Sequence, residues 1–110
     1  MKEEEQAALD KFVTLAKSKD VPPHLCEGLG RYVLFGIFPG SFLIAFMSHD
    51  FHGVMSYGDD MSIAGLKPTR IFVFNNLPIA CRGSEKNMFE WSLHAKEVGA
   101  VELIKLVGNC

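Results

Sequence analysis

Proline and glycine cut this sequence into short segments, and within the segments apolar residues recur at helical spacing. The clearest breaks fall at Pro22-Pro23, at Pro39-Gly40 and at Pro78. Apolar residues three and four positions apart, with charged residues between them, are typical of an amphipathic helix. In the first segment these residues are Ala7, Ala8, Phe12, Leu15 and Ala16. We therefore expect an all-α fold, a compact bundle of five or six short helices.

Capping residues and breakers give the expected boundaries. Ser, Asp and Thr favour the residue before a helix, and proline is tolerated in a first turn. The expected helices are residues 3–18, a second that opens at Pro22-Pro23 and runs to Gly36, a third from Ser41, a fourth from Asp50 to Gly58, a fifth from about Pro68 to Asn76 and a sixth from Ser84. Residues 59–67 suggest a loop, and a final segment runs from Val98 to Val107.

The segment 69–77 has two interpretations. Its centre, Ile71-Phe72-Val73-Phe74, is a short apolar run whose period alone does not separate a helix from a buried strand. A strand at 70–75 would pair with residues 32–38 and give an α+β fold with a small sheet. Helix is our prediction, and the small sheet is its alternative.

The apolar content is high for one small domain. The 110 residues are the size of a single domain, 1–110, and 48% of them are hydrophobic, including nine Phe. A domain of this size has little interior, so some of these side chains must lie near the surface. We expect a self-associating face, and hence a homo-oligomer, or a lined pocket. An ordinary monomer is the alternative.

Charge and cysteine content exclude several classes of protein. Eleven Lys and Arg against 13 Asp and Glu give a net charge of −2, without the basic surface that general nucleic-acid binding requires. Three cysteines without metal-like spacing suit reduced thiols in a cytosol. The longest apolar stretch, 32–47, contains Gly and Pro and is shorter than the ~20 residues of a spanning helix. We expect a cytoplasmic protein with no membrane or nucleic-acid partner.

Two stretches resemble small proteins encoded by tailed bacteriophages and prophages. Between Pro23 and Asp50 the order is Gly-hydrophobic-Arg-Tyr and then Gly-Ile-x-Pro-Gly-Ser-Phe-Leu, and between Asn76 and Trp91 it is Pro-x-x-Cys-x-Gly-Ser. The resemblance covers about residues 22–92. It implies a short helical protein of phage origin that acts in the host bacterial cytoplasm, and it implies no activity.

Two turns that place Gly-Ser at a helix start are candidate anion sites. Pro39-Gly40-Ser41 offers backbone N–H groups, a hydroxyl and a glycine that permits close approach. Arg82-Gly83-Ser84 repeats the arrangement, and Arg31 lies on the helix before the first turn. Together Arg31, Gly40, Ser41, Arg82 and Ser84 could bind a phosphate-bearing small molecule. Alternatively, both turns are plain connections whose serines cap helices.

Two further groups of residues could form a metal site or a nucleophilic pair, but neither set is complete in the sequence. The run 48–52 contains His49, Asp50 and His52, which could ligate a metal. No second cluster completes the ligand set, so capping or surface histidines are preferred and no metal or cofactor is expected. Nucleophilic catalysis would need Cys81 or a serine beside a base such as His24, and no signature indicates such a pair. We therefore do not expect an enzyme.

The sequence predicts a phage-encoded accessory binding protein that sequesters or blocks a bacterial host component. That component would be a defence protein or a nucleotide-type signal, and the protein would then act against the defence of its host. Its partner would be a host protein in the first case and a phosphate-bearing small molecule in the second. A structural or assembly protein of the phage is the alternative, and a small hydrolase is the second alternative.

Overall fold

A computed structural model describes residues 3–98 of the chain. This part contains seven α-helices and one 3-10 turn: α1 Glu3–Ser18, α2 Pro23–Phe35, α3 Ser41–Met47, α4 Phe51–Tyr57, α5 Asp60–Ala64, α6 Leu66–Asn76, the 3-10 turn Ile79–Cys81, and α7 Glu85–Val98. No strand occurs in residues 3–98, so the all-α prediction is confirmed and the small sheet from 32–38 and 70–75 is absent from them. The final segment predicted after Val98 lies outside the described residues.

The helix starts follow the capping signals in most places. The carboxylate of Asp50 accepts the backbone N–H of Gly53 at 3.0 Å and so caps α4. The third helix differs from our prediction, because Gly40 rather than Ser41 is its N-cap residue and no side chain caps it. Each cap satisfies a backbone donor that the first turn leaves unpaired.

The loop predicted at 59–67 is wrong, since two helices occupy most of it. Asp59 accepts the backbone N–H of Ser62 at 2.8 Å and caps the five-residue α5. Helix α6 then begins at Leu66, and Pro68 lies in its first turn. Proline costs no hydrogen bond there, because a first-turn N–H has no partner within the helix. Asp59, interpreted as part of a loop, is therefore a helix cap, and the helix expected from about Pro68 begins two residues earlier.

Helix α2 is the centre of the core and packs against α1, α3 and α7. Phe12 of α1 meets Phe72 of α6 edge to face, with ring centroids 5.6 Å apart. The largest fully buried side chains are Tyr32, Phe12, Phe72, Leu9, Leu29, Leu34, Met47, Met88, Val21, Val33 and Val73. Removing this apolar surface from water is the main force that holds the short helices together. In residues 3–98 no helix combines the length and apolar character needed to cross a bilayer.

Polar contacts join the end of α2 to α7. Gly36 adopts a left-handed conformation, φ 74°, and its N–H donates to the carbonyl of Tyr32. The indole N–H of Trp91 donates to the Val33 carbonyl at 3.1 Å, and the Ser92 hydroxyl donates to the Gly36 carbonyl. These carbonyls lie at or just after the last turn of a helix, where no intrahelical donor is available. Side chains of α7 thereby satisfy the free carbonyls at the C-terminal end of α2.

The turn between the 3-10 segment and α7 is held from both sides. The hydroxyl of Tyr32 donates to the carbonyl of Cys81 at 2.7 Å. The N–H of Gly83 donates to the carbonyl of Met47, at the end of α3, also at 2.7 Å. Arg82, between these two anchored residues, is consequently fixed against the end of α3.

Candidate anion-binding site

A cavity of about 210 Å³ lies where the end of α3, the middle of α6 and the turn before α7 meet. Its wall is formed by Phe46, Met47, His49, Arg70, Val73, Phe74 and Arg82. Apolar side chains make up most of this wall, and two guanidinium groups and an imidazole supply its polar part. No acidic side chain is among these lining residues.

Arg82 is the most unusual residue of this wall, because it is a buried cation without an anionic partner among residues 3–98. Only 9% of its surface is exposed. Its guanidinium lies over the ring of Phe74, 4.1 Å from the centroid, and its Nε has no hydrogen-bond partner. Within residues 3–98 no carboxylate forms an ion pair with it. Buried charges are normally paired, since an unpaired one costs several kcal/mol of desolvation, about 3 to 5 kcal/mol where a partner has been removed.

A second guanidinium approaches the same aromatic ring. Arg70 lies one helical turn before Phe74 on α6, and its guanidinium carbon is 5.0 Å from the ring centroid. The ring therefore contacts two cations, Arg70 and Arg82. The negative face of an aromatic ring attracts such groups but carries no net charge. It holds the two guanidinium groups near one another without neutralising either.

His49 completes the wall from a strained position between α3 and α4. Its φ is +63°, in the left-handed region that residues other than glycine seldom occupy. This conformation costs about 1–2 kcal/mol. The carboxylate of Asp50, which follows it, caps α4 and does not line the cavity. The break between the helices thus presents an imidazole to the cavity and directs the neighbouring acid elsewhere.

A more open cleft of about 480 Å³ adjoins the cavity. Phe46, His49 and Arg70 line both spaces, so the two are neighbours. The other lining residues of the cleft are Phe51, Val54, Leu66 and Lys67. Lys67 and Arg70 are three residues apart on α6 and share one helical face. The cleft, like the cavity, has cations and no acidic side chain among its lining residues.

The structure places the first three predicted site residues away from this wall. Arg31 is exposed on α2 and forms an ion pair with Glu27, one turn earlier. Gly40 and Ser41 are exposed at the start of the seven-residue α3. None of the three is among the residues that line the cavity or the cleft.

The second predicted turn contributes one residue to the site. Ser84 accepts the backbone N–H of Asn87 at 3.0 Å and caps α7, which is the alternative role we considered for it. Arg82 alone of the five predicted residues lines the cavity. Sequence reasoning did not place Arg70 or Phe74 in a site. Their spacing of four on a helix, which lets a cation lie over a ring, was the local signal available.

A histidine, a serine and an acid also meet between α2 and α5. His24 Nε2 lies 2.7 Å from the hydroxyl oxygen of Ser62 and 3.6 Å from a carboxylate oxygen of Asp59. In a catalytic triad the two partners bind different ring nitrogens. Here one nitrogen faces both. The backbone N–H of Ser62 lowers the pKa of Asp59, because that carboxylate is the cap of α5.

The buried cysteines have the properties of apolar core residues. Burial raises the pKa of Cys81 to about 12, and burial also raises the pKa of Cys26. Thiols with such pKa values are protonated at neutral pH, and the thiolate is the nucleophilic form. No histidine in residues 3–98 hydrogen-bonds to either thiol. Among the same residues no three His, Cys, Asp or Glu side chains are grouped as metal ligands.

Comparisons of the chain with protein-family models, with curated protein sequences and with solved structures gave no match.

Proposed function

We propose that this protein binds an anionic small molecule and that the guanidinium of Arg82 holds the anion. The observation that carries the proposal is a buried guanidinium, without a carboxylate partner among residues 3–98, in the wall of a cavity whose lining residues include no acid. An oxyanion in the cavity would accept from N–H groups of this guanidinium and neutralise its charge. Hydrogen bonds between charged groups are about twice as strong as neutral ones, and an apolar wall strengthens them further.

Phosphate fits the charge of the site better than carboxylate does. Arg70 approaches the ring of Phe74 from α6 and Arg82 approaches it from the turn before α7, and His49 lies on the same wall. A phosphate group has up to two charges and several acceptor oxygens, and guanidinium groups match its geometry. The ligand class is the one expected from the sequence. The cavity residues that support it differ from that prediction except for Arg82.

In the cell, we propose, the protein is a phage-encoded accessory protein that sequesters a phosphate-bearing molecule of its bacterial host, in the host cytoplasm. The sequence resemblance to small phage proteins supports the origin. The cavity supports the ligand class. A nucleotide-type signal is one such molecule. In the alternative form of this proposal the protein binds and blocks a host defence protein, and no small ligand is involved.

Thermal unfolding with and without inorganic phosphate tests the proposal. Phosphate stabilises many proteins because it is excluded from their surface. Specific binding is therefore judged from the difference in the Tm increase between the wild type and the variants. We expect phosphate to raise the Tm of the wild type and of Arg31→Gln, which changes an exposed arginine outside the cavity. It should raise the Tm of Arg82→Gln much less. Equal increases in all three proteins would contradict the proposal.

A second candidate function is an assembly or structural role through self-association. Several large apolar side chains are exposed, among them Phe89 and Leu93, which lie one turn apart on α7 and are 59% and 52% exposed. Such side chains are typical of surfaces that contact other proteins. Light scattering over a range of concentrations tests this candidate, and a monodisperse monomer at high concentration would rule it out.

A further inference from the structure

We infer that the ligand has two parts, an anionic group held by Arg82 and Arg70 and an apolar body without hydrogen-bond donors that fills the adjoining cleft. This rests on the proposed function, because the anionic group occupies the proposed cavity. It narrows the proposed phosphate-bearing molecule to an aryl or alkyl phosphate, in place of free phosphate or the nucleotide-type signal named above.

The sizes of the two spaces support a divided ligand. The cavity at Arg82 measures about 210 Å³, and the cleft about 480 Å³. Sites for whole small molecules measure roughly 300–1,000 Å³. The cavity alone is below this range and suits an ionic group, whereas the cleft is within it. Phe46, His49 and Arg70 line both, so the two spaces are neighbours. A ligand held at Arg82 would extend from the cavity into the cleft.

The wall chemistry of the cleft indicates the nature of the body. Its lining consists of four apolar residues, Phe46, Phe51, Val54 and Leu66, and three with nitrogen groups, His49, Lys67 and Arg70. No Asp, Glu, Asn, Gln, Ser or Thr is among them. The amino group of adenine or guanine would therefore lack a side-chain carbonyl, carboxylate or hydroxyl as acceptor. Hydrocarbon placed against the four apolar side chains would remove their surface from water, and none of these four can accept from such an amino group, so a body of hydrocarbon fits better.

An exposed aromatic side chain stands at this cleft. Phe51, in the first turn of α4, is 77% exposed although it lines the cleft. An apolar body placed against it would remove part of its surface from water. A tenfold gain in affinity needs only ~55 Å² of apolar surface to be buried. We therefore expect an aryl phosphate to bind at least about tenfold tighter than free phosphate.

Calorimetric titration of the full chain with three probes tests the inference: inorganic phosphate, phenyl phosphate and adenosine monophosphate, at one ionic strength in a Tris chloride buffer. We expect phenyl phosphate to bind about tenfold tighter than inorganic phosphate, and tighter than adenosine monophosphate. Phe51→Ser should remove most of the advantage of phenyl phosphate and leave the affinity for inorganic phosphate unchanged. Met55→Ser is the matched control, because Met55 is half-exposed on the same helix and does not line the cleft.

The outcomes separate this inference from the proposed function. Equal affinities for phenyl phosphate and inorganic phosphate, both weakened by Arg82→Gln, would overturn the two-part ligand and leave the anion site in place. Tighter binding of adenosine monophosphate than of phenyl phosphate would overturn the donor-free body. Absence of binding by all three probes would overturn both the inference and the proposed function.

Discussion

Replacing Arg82 with methionine should leave the ligand-free protein more stable than the wild type, although most replacements of buried residues destabilise. The substitution removes a buried N–H without a partner, and such a group costs about 1–3 kcal/mol. It also removes the contact of the guanidinium with Phe74, which is worth about 0.5–2 kcal/mol. Methionine keeps an unbranched apolar side chain whose sulfur can contact the same ring, for about 0.3–1.5 kcal/mol.

These terms give a net gain of about 1 kcal/mol in the free energy of unfolding, equivalent to a rise of roughly 4–8 °C in Tm for a domain near this size. Urea and thermal unfolding in Tris chloride, without phosphate or sulfate, measure it. Arg70→Met is the control, because Arg70 contacts the same ring but is exposed, and its change should be within about 0.5 kcal/mol. A loss of more than about 1 kcal/mol in Arg82→Met would refute the reasoning, since the guanidinium would then stabilise the fold by itself.

Three other predictions concern the packing around the site. Burial raises the pKa of Cys81 from 9.0 to about 12, so native protein should resist alkylation at this thiol at pH 8. The pKa of Cys81 is higher in the folded than in the unfolded protein, so the free energy of unfolding should fall as pH rises above 9.0. Urea unfolding of Cys81→Ala should show a smaller fall. The same dependence on pH in wild type and variant would contradict the prediction. Trp91→Phe leaves the Val33 carbonyl without its donor and should cost about 1–2 kcal/mol in urea unfolding, whereas wild-type stability would show that the bond is unimportant. Gly36→Ala places a methyl group at φ 74° against the Ser92 carbonyl and should lower the free energy of unfolding by at least about 2 kcal/mol. An unchanged Tm would contradict the left-handed conformation of Gly36.

The helices were largely predictable because their boundaries depend on local chemistry. Asp50 as a cap and Pro22-Pro23 as a helix start act through neighbours within a few residues. The segment 59–67 was not predictable in this way. Asp59 precedes a helix of five residues, which is too short for apolar periodicity to show, so a cap and a turn former have the same appearance in the sequence.

The site was less predictable than the fold, because its residues meet only through tertiary contacts. The sequence predicted Arg82 as a site residue because it belongs to a Gly-Ser turn, and the expected ligand was a phosphate-bearing molecule. Its position beside α3 depends on the bond from Gly83 to the Met47 carbonyl, between residues 36 positions apart in sequence. No sequence signal indicates that Arg82 is without a carboxylate partner in the described part of the chain. That property, on which the proposed function depends, follows from packing alone.

The NMR signal of the Nε–H group of Arg82 gives the most direct test of anion binding. The sequence has three arginines, so a proton–nitrogen correlation spectrum of arginine side chains is simple to assign, and Arg82→Met identifies the signal by its loss. On titration with phenyl phosphate, the Arg82 signal should move, since the guanidinium that carries this N–H gains an anionic acceptor. The Arg31 signal should stay in place. An Arg82 signal that does not move at saturating phenyl phosphate would contradict the anion site.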